Sequence, residues 1–239
     1  MDFLDQTWPT PAENLAADEA LLDSAEAGER GETLRFWQAP THFVVLGHSN
    51  RLEDEVHSAA CAALNVPILR RCSGGGTILQ GPGSLSYTLI LEIDARPELN
   101  TVTRANHFIM SRHARHLTEI LGRETRVEGT SDLVLEGRKI SGNAQRRRRS
   151  FLLFHGTLLL ALDLELMELL VRLPTRRPDY RGNRSHTDFL GVIPAAPDAL
   201  KDTWRRAWGA VSSGPQIIPS QVRRLVINKY SLASWNRKF

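Results

Sequence analysis

Cysteine is nearly missing from this chain: Cys61 and Cys72 are its only two thiols in 239 residues. Two thiols build neither a disulfide framework nor a four-ligand zinc site, so a reducing, cytoplasmic setting is expected. Long apolar runs are missing too. No stretch approaches the ~18 residues of a membrane span, and no membrane partner is expected. The start, Met1-Asp2-Phe3-Leu4-Asp5, is acidic and lacks the basic region and apolar core of a secretory signal. What is present is ordinary for a folded protein. Hydrophobic residues make up 41% and charged residues 24%, which excludes a mostly disordered chain. The length suits one large domain or two small ones, with enough core to need no staples.

The net charge of +3 hides an asymmetry. Residues 1–60 carry 12 acids against 3 bases, and residues 61–239 carry 15 acids against 27 bases. A basic body suits an anionic partner such as a nucleotide or an acidic protein. Residues 146–149 are four consecutive arginines. No RNA-binding signature or interleaved aromatic set accompanies them, so a solvated turn or docking of an acidic protein is expected, not nucleic acid.

Hydrophobic periodicity predicts helices over 12–25, 53–64, 103–121, 163–173, 200–210 and 219–230. Alternation and turn residues predict strands over 34–38, 43–47, 68–71, 77–80 and 85–93, a hairpin over 130–135 and 138–145, and a strand over 151–160. The first helix is expected to carry its acids on the solvent face. A polar loop is expected over 175–185. His113 and His116 share a helix face and read as surface histidines. Helices alternate with strands joined by tight turns, so a mixed α+β fold with a mostly antiparallel or mixed sheet is expected.

Three segments carry chemistry. Arg70-Arg71-Cys72-Ser73-Gly74-Gly75-Gly76-Thr77 places three glycines between strand ends. Glycines there let backbone approach a ligand and let N–H groups cradle a phosphate, with arginines supplying fixed charge. A bulged hairpin tip is the plainer alternative. The spacing matches neither a Walker loop nor a dinucleotide fingerprint. In Ser131-Asp132-Leu133 and Gly137-Arg138-Lys139-Ile140-Ser141-Gly142-Asn143-Ala144, alternation turns Lys139 inward if Arg138 faces solvent. An inward lysine without an expected carboxylate partner calls for an anion, and a snorkelling edge lysine is the alternative. Asp132 could hold Mg²⁺ or a nucleotide hydroxyl. Finally, His155-Gly156-Thr157 interrupts an apolar strand, as a satisfied core histidine also would.

In this order the three segments, with Asn14–Leu22 and Val45–Asn50, resemble the lipoate–protein ligase A family of the biotin/lipoate ligase superfamily. The resemblance spans about residues 14 to 160. It implies a single catalytic domain over 1–239 that uses ATP and Mg²⁺ to convert lipoate to lipoyl-AMP. The acyl group would then pass to a lysine of a lipoyl carrier domain, from a 2-oxoacid dehydrogenase or a glycine-cleavage H-type protein. It also implies Lys139 as the catalytic residue. Arg70, Ser73, Gly74, Gly75, Gly76, Thr77, Gln80, Asp132, Ser141, Gly142, Ala144, His155 and Thr157 would surround the adenylate. Gln80 departs from the histidine the family often has there. The small accessory domain of many such ligases is expected to be absent here, with a separate protein as one possible source.

Other readings compete. An octanoyltransferase of the same superfamily would need a cysteine nucleophile. Cys72 beside Arg71 is its candidate, although it does not fall where the family's acyl-transfer cysteines do. Cys61 is expected in the core. A biotin ligase would share the sheet but not the glycine–arginine signature, and a paralogue could bind without turnover.

Overall fold

The computed structural model describes residues 1–174 and 177–239. Thr175 and Arg176, the start of the expected 175–185 loop, lie outside the described residues. The remainder forms a mixed α+β structure, as expected.

Among the described residues, eight strands form one sheet in the order β11-β1-β2-β6-β10-β9-β8-β7. These are β1 (Asp2–Asp5), β2 (Thr33–Trp37), β6 (Ser84–Glu92), β7 (Thr125–Glu128), β8 (Asp132–Leu135), β9 (Arg138–Arg147), β10 (Phe151–Leu159) and β11 (Ser212–Ser213). The pairings of β1 with β2 and β11 are parallel, and the rest are antiparallel. A second sheet pairs β3 (Phe43–Leu46) in parallel with β4 (Ile68–Arg70) and antiparallel with β5 (Ile78–Gln80). Residues 39–41, between β2 and β3, carry the chain from the large sheet to the small one.

The two faces of the large sheet follow from the period-2 pleat. Leu85, Tyr87, Leu89 and Leu91 of β6 and Leu152, Phe154 and Leu158 of β10 face helices α4 (Val102–Leu121) and α7 (Pro197–Trp208). The alternate residues of β6 and β10, including Ser86, Thr88, His155 and Thr157, face the other way. On that side lie α1 (Pro11–Glu26) and α8 (Pro219–Leu225), whose apolar residues pack with Ile90 and Leu153. The polar interruption at His155 is thus one face of a strand whose other face stays apolar.

Helix α1 starts at Pro11 behind a Thr10–Glu13 capping box. It is buried nearly all round, from Asn14 through Leu22. Two of its acids, Asp18 and Glu19, are therefore not on a solvent face. Asp18 is engaged by Arg35 and His155, and Glu19 accepts from Lys229 Nζ and Tyr230 Oη, each at 2.7 Å. Helix α4 runs as expected and stops at Gly122, whose φ of +62° supplies the left-handed turn. The helix expected over 53–64 is two short ones, α2 (Leu52–Glu55) and α3 (Ser58–Ala63). The segment after α5 (Leu164–Leu170) returns across the edge of β9 through α6 (His186–Phe189), with Lys139 bridging to Leu190.

His113 is not on the surface. It is fully buried between Tyr87, Trp204 and Trp208. Its Nε2 accepts from Trp208 Nε1 at 2.9 Å, and Nδ1 lies 3.2 Å from Tyr87 Oη. Its partner on the helix face, His116, lies instead against Glu119 at 3.0 Å. Burial, with Arg112 and His116 nearby, holds the His113 pKa well below its ordinary value. The unfolded chain then binds a proton below about pH 6.5 that the folded chain refuses. The stability due to neutral His113 is present above that pH and lost as pH falls through it. Urea denaturation at pH 7 and pH 5 should show His113→Gln losing less stability on acidification than the parent, by up to ~1.4 kcal/mol per pH unit. His48 and His186 remain in both proteins and cancel in the comparison.

Candidate active site

A cavity of about 440 Å³ opens on the α1 side of the large sheet. One part is apolar, with Leu15, Trp37, Val45 and Ile78 on its wall. Toward β9 it meets Asp132, Lys139, Gly142 and Ala144, and beyond them the segment carrying Arg177, Arg181 and His186.

Asp18 lies at the junction. It is 1% exposed, and its Oδ1 accepts from Arg35 Nη1 at 2.5 Å. Its Oδ2 lies 3.2 Å from His155 Nδ1, and His155 Nε2 lies 2.6 Å from Ser73 Oγ. Burial opposes ionisation of Asp18, but the Arg35 guanidinium and His155 outweigh it and hold the carboxyl below its usual range. An Nδ1–H donor and an Nε2 acceptor on His155 satisfy both neighbours. The order Ser–His–Asp looks like a nucleophile triad. However, Ser73 is 1% exposed and its Oγ also accepts from Arg71 Nε at 3.1 Å. This chain of bonds pins the glycine loop to β10; it does not present a nucleophile to the cavity.

The two arginines of the glycine segment hydrogen-bond to the protein itself, although Arg71 also borders the cavity. Arg70 is fully buried and donates to the carbonyls of Gly47, His48, Asn50, Trp235 and Asn236. It locks the C-terminal segment onto β3 and β4, away from the cavity wall where the sequence placed it. Arg71 gathers the loop itself. Its Nη2 donates to Gly74 O at 2.5 Å and Gly76 O at 2.8 Å. Burial pushes its pKa down to about 10, which leaves it cationic at neutral pH. Gly75 has φ +85°, and a Cβ there would lie 2.8 Å from Arg71 Nη2. With the Gly74 and Gly76 carbonyls turned to Arg71, the N–H groups of residues 74–76 have no protein acceptor among the described residues. These three glycines are exposed, as an anion-binding concavity requires.

Lys139 faces the cavity, as alternation implied, but with a partner the sequence did not reveal. Its Nζ lies 2.8 Å from Asp132 Oδ1, and Tyr180 Oη donates to Asp132 Oδ2 at 2.7 Å. Burial and Asp132 together raise the Tyr180 pKa, so the phenol keeps its proton. The ammonium fits because residue 142 is glycine: a Cβ there would lie 2.9 Å from Lys139 Cε. The 129–132 turn and the 177–181 segment meet here, with Gly129 against Pro178 and Tyr180.

Of the other expected residues, Gly75, Gly76, Thr77, Gln80, Ala144, His155 and Thr157 line the cavity. Gln80 Nε2 donates to Ser86 Oγ and Thr157 Oγ1, so it is tied to the wall. Ser73 and Ser141 sit behind the wall, Ser141 against Asn143. Gly74 is exposed beside the loop's cavity-facing residues. Asp18, Asn143, Tyr180 and Arg181 were missed. Asn143 ties β9 to the 129–132 turn through Ser131 O at 2.7 Å. The signal for Asp18 was an acid inside an otherwise apolar helical stretch.

Among the described residues, no group of three or more His, Cys, Asp or Glu could hold a metal alone. Of the four arginines at 146–149, Arg147 donates to Leu99 O and Arg148 to Asp23. Arg146 shares the face of Gly142 and Ala144 by strand alternation, and its charge is felt by His48.

A family model for the lipoyl protein ligase A/B catalytic domain matches residues 10–190. Octanoyltransferase LipM of Geobacillus kaustophilus is 30% identical, over 99% of this chain and 97% of that protein. Octanoyltransferase LipM of Oceanobacillus iheyensis is also 30% identical, over 89% and 82%. Among solved structures, a lipoate-protein ligase A bound with ATP superposes with TM-score 0.84 at 21% identity, over 99% of this chain and 98% of that one. The bipartite lipoate protein ligase of Thermoplasma acidophilum gives 0.82 at 21% identity, over 99% and 95%. At that identity the structural likeness speaks for the fold.

A cysteine nucleophile, the expectation stated above for an octanoyltransferase, has two candidate thiols here. Cys72 is 3% exposed and Cys61 1%, and neither lines the cavity. Burial, with Glu19 near, pushes the Cys72 thiol up to about 12, so Arg71 does not activate it. Burial raises the Cys61 thiol as well. A thiol reagent at pH 8 should therefore modify neither cysteine in the native chain within minutes and both after unfolding in guanidinium. Rapid modification of Cys72 in the folded protein would contradict its burial.

Proposed function

The chain belongs to the lipoyl protein ligase A/B catalytic-domain family, and on that premise we propose that it is a lipoate–protein ligase acting through an acyl-adenylate. The observation that carries this reading is the Lys139–Asp132 pair on the wall of a cavity that no cysteine lines. The apolar part of the cavity at Leu15, Trp37, Val45 and Ile78 would take the hydrocarbon tail of lipoate. The acyl carboxylate would attack the α-phosphorus of ATP, and pyrophosphate would leave. Lys139 would stabilise charge on the phosphoryl oxygens, with the exposed amides of residues 74–76 as further donors. In the second step a carrier lysine attacks the acyl carbonyl and AMP departs, with Lys139 polarising that carbonyl. No bond between the acyl group and the chain is required.

Asp132 is the carboxylate beside Lys139 that could share a Mg²⁺ with nucleotide phosphates. When bound, such an ion neutralises phosphate charge. The carrier would be a lipoyl domain of a 2-oxoacid dehydrogenase or an H-type protein. Arg146 and Arg149 would meet an acidic carrier, since Arg147 and Arg148 are committed elsewhere.

The relatives' name favours a second reading, octanoyl transfer from a carrier thioester. On this cavity it would proceed by direct attack of the acceptor lysine, with Lys139 polarising the thioester carbonyl and no enzyme thiol involved.

The two readings separate on one assay. The purified chain with lipoate, ATP and Mg²⁺ should form lipoyl-AMP and exchange labelled pyrophosphate into ATP, with or without a separate accessory protein. Lys139→Ala should fold normally and lose both activities by ~10²–10³. Near-parental turnover by a folded Lys139→Ala protein would overturn its role. Octanoyl transfer from a carrier thioester without any pyrophosphate exchange would favour the second reading.

A further inference from the structure

Beyond Lys139 the cavity holds a second cation that the acyl chemistry does not use. Arg181 is 5% exposed and lies on the cavity wall with Arg177 and His186. Its guanidinium stacks on Phe189, 4.5 Å from the ring centroid. Nε donates to Arg184 O at 3.3 Å, and Nη2 lies 3.5 Å from His186 Nδ1, a long contact. No carboxylate pairs with Arg181 among the described residues. The two residues outside them, Thr175 and Arg176, carry no carboxylate either. The acid whose charge reaches it, Asp132, already holds Lys139 and Tyr180.

The surroundings sharpen this imbalance. Arg177 and Arg184 add positive charge that works against the ionised guanidinium, as does its burial. His186 Nε2 lies 3.3 Å from Arg172 O, which as an Nε2–H donor turns its Nδ1 lone pair to Arg181. A buried cation is ordinarily paired. Here the fold instead converges further cations on it. The segment is also fixed to the Lys139 strand, through Tyr180 to Asp132 and through Gly191 N to Lys139 O at 2.9 Å.

We infer that Arg181, with Arg177 beside it, forms a subsite for a phosphate-bearing group, and that this group is the pyrophosphate portion of the nucleotide. The assignment to pyrophosphate rests on the ligase reading. A planar guanidinium offers two parallel donors to a phosphate, and the subsite lies along the same cavity as the lysine that faces the reacting phosphorus. Lys139 then stays with the acyl phosphate while Arg181 holds the leaving group. If the chain were a transferase, the same chemistry would serve the phosphodiester of a carrier's phosphopantetheine arm.

The test measures binding of inorganic pyrophosphate and, separately, of 4′-phosphopantetheine to the intact chain by calorimetry, with pyrophosphate exchange run alongside. Arg181→Gln should weaken pyrophosphate binding tenfold or more and raise KM for pyrophosphate in exchange by a similar factor. Arg177→Ser, at an exposed position, should weaken it about threefold. It decides the matter if Arg181→Gln fails to fold. Equal pyrophosphate affinity in parent and variants overturns the subsite, even when exchange is robust and the ligase reading stands. Absent exchange with Arg181-dependent binding of 4′-phosphopantetheine alone keeps the phosphate subsite, and overturns both the pyrophosphate assignment and the ligase reading.

Discussion

The buried carboxylate of Asp18 holds the working face together. It sits on α1, takes the Arg35 guanidinium from β2, and orients His155 on β10, which in turn holds Ser73 of the glycine loop. Four parts of the chain that are far apart in sequence meet on one ionised group. Removing Asp18 or Arg35 leaves the other charge buried and unpaired, at a cost of roughly 3–5 kcal/mol. Arg35 deepens the commitment, because it also donates to the carbonyls of Gln6 and Asn14. The large sheet, the first helix and the loop therefore keep one relative arrangement, and the cavity is the space they leave.

Within that frame the charges divide into two kinds. Arg35, Arg70 and Arg71 are buried and spend their donors on the protein, mostly on backbone carbonyls. Arg71 in particular draws the carbonyls of Gly74 and Gly76 to itself, and the amides of residues 74–76 have no protein acceptor among the described residues. Lys139 and Arg181 line the cavity, as Arg71 does, but Lys139 is held by a single carboxylate and Arg181 by none among the described residues. In the proposed reaction an anionic substrate would meet the second kind, supported by the first. The basic excess of residues 61–239 thus includes both structural and cavity-lining cations.

Much of this was legible in sequence, for identifiable reasons. Alternation placed β6, β9 and β10 and turned Lys139 inward, and the glycine run marked a loop that borders the cavity. Periodicity placed α1 and α4 to within a residue or so. What failed was information carried by distant contacts. The short strands β1 and β7 have too few residues for a pattern and exist because a neighbour's edge was free. Asp18 looked solvent-facing because nothing local shows that α1 is covered on both sides. His113 looked exposed beside Arg112 and Arg115, yet Tyr87 and Trp208 come from other elements to satisfy its ring. Arg70 and Arg71 were read together as ligand donors, and only the third dimension shows that carbonyls consume both. Asp132 and Lys139 were each singled out, and their pairing across β8 and β9 was not.

The central claim is that the acyl group is activated as an adenylate and is never bonded to the chain. It is tested most directly by a single-turnover quench with labelled lipoate, ATP and Mg²⁺, before and after addition of a lipoyl domain. The account predicts that denaturing the protein releases all label as lipoyl-AMP, and that the lipoyl domain then removes it to its own lysine. Label retained covalently on the denatured chain, at Cys72, Ser73 or any other residue, would contradict it.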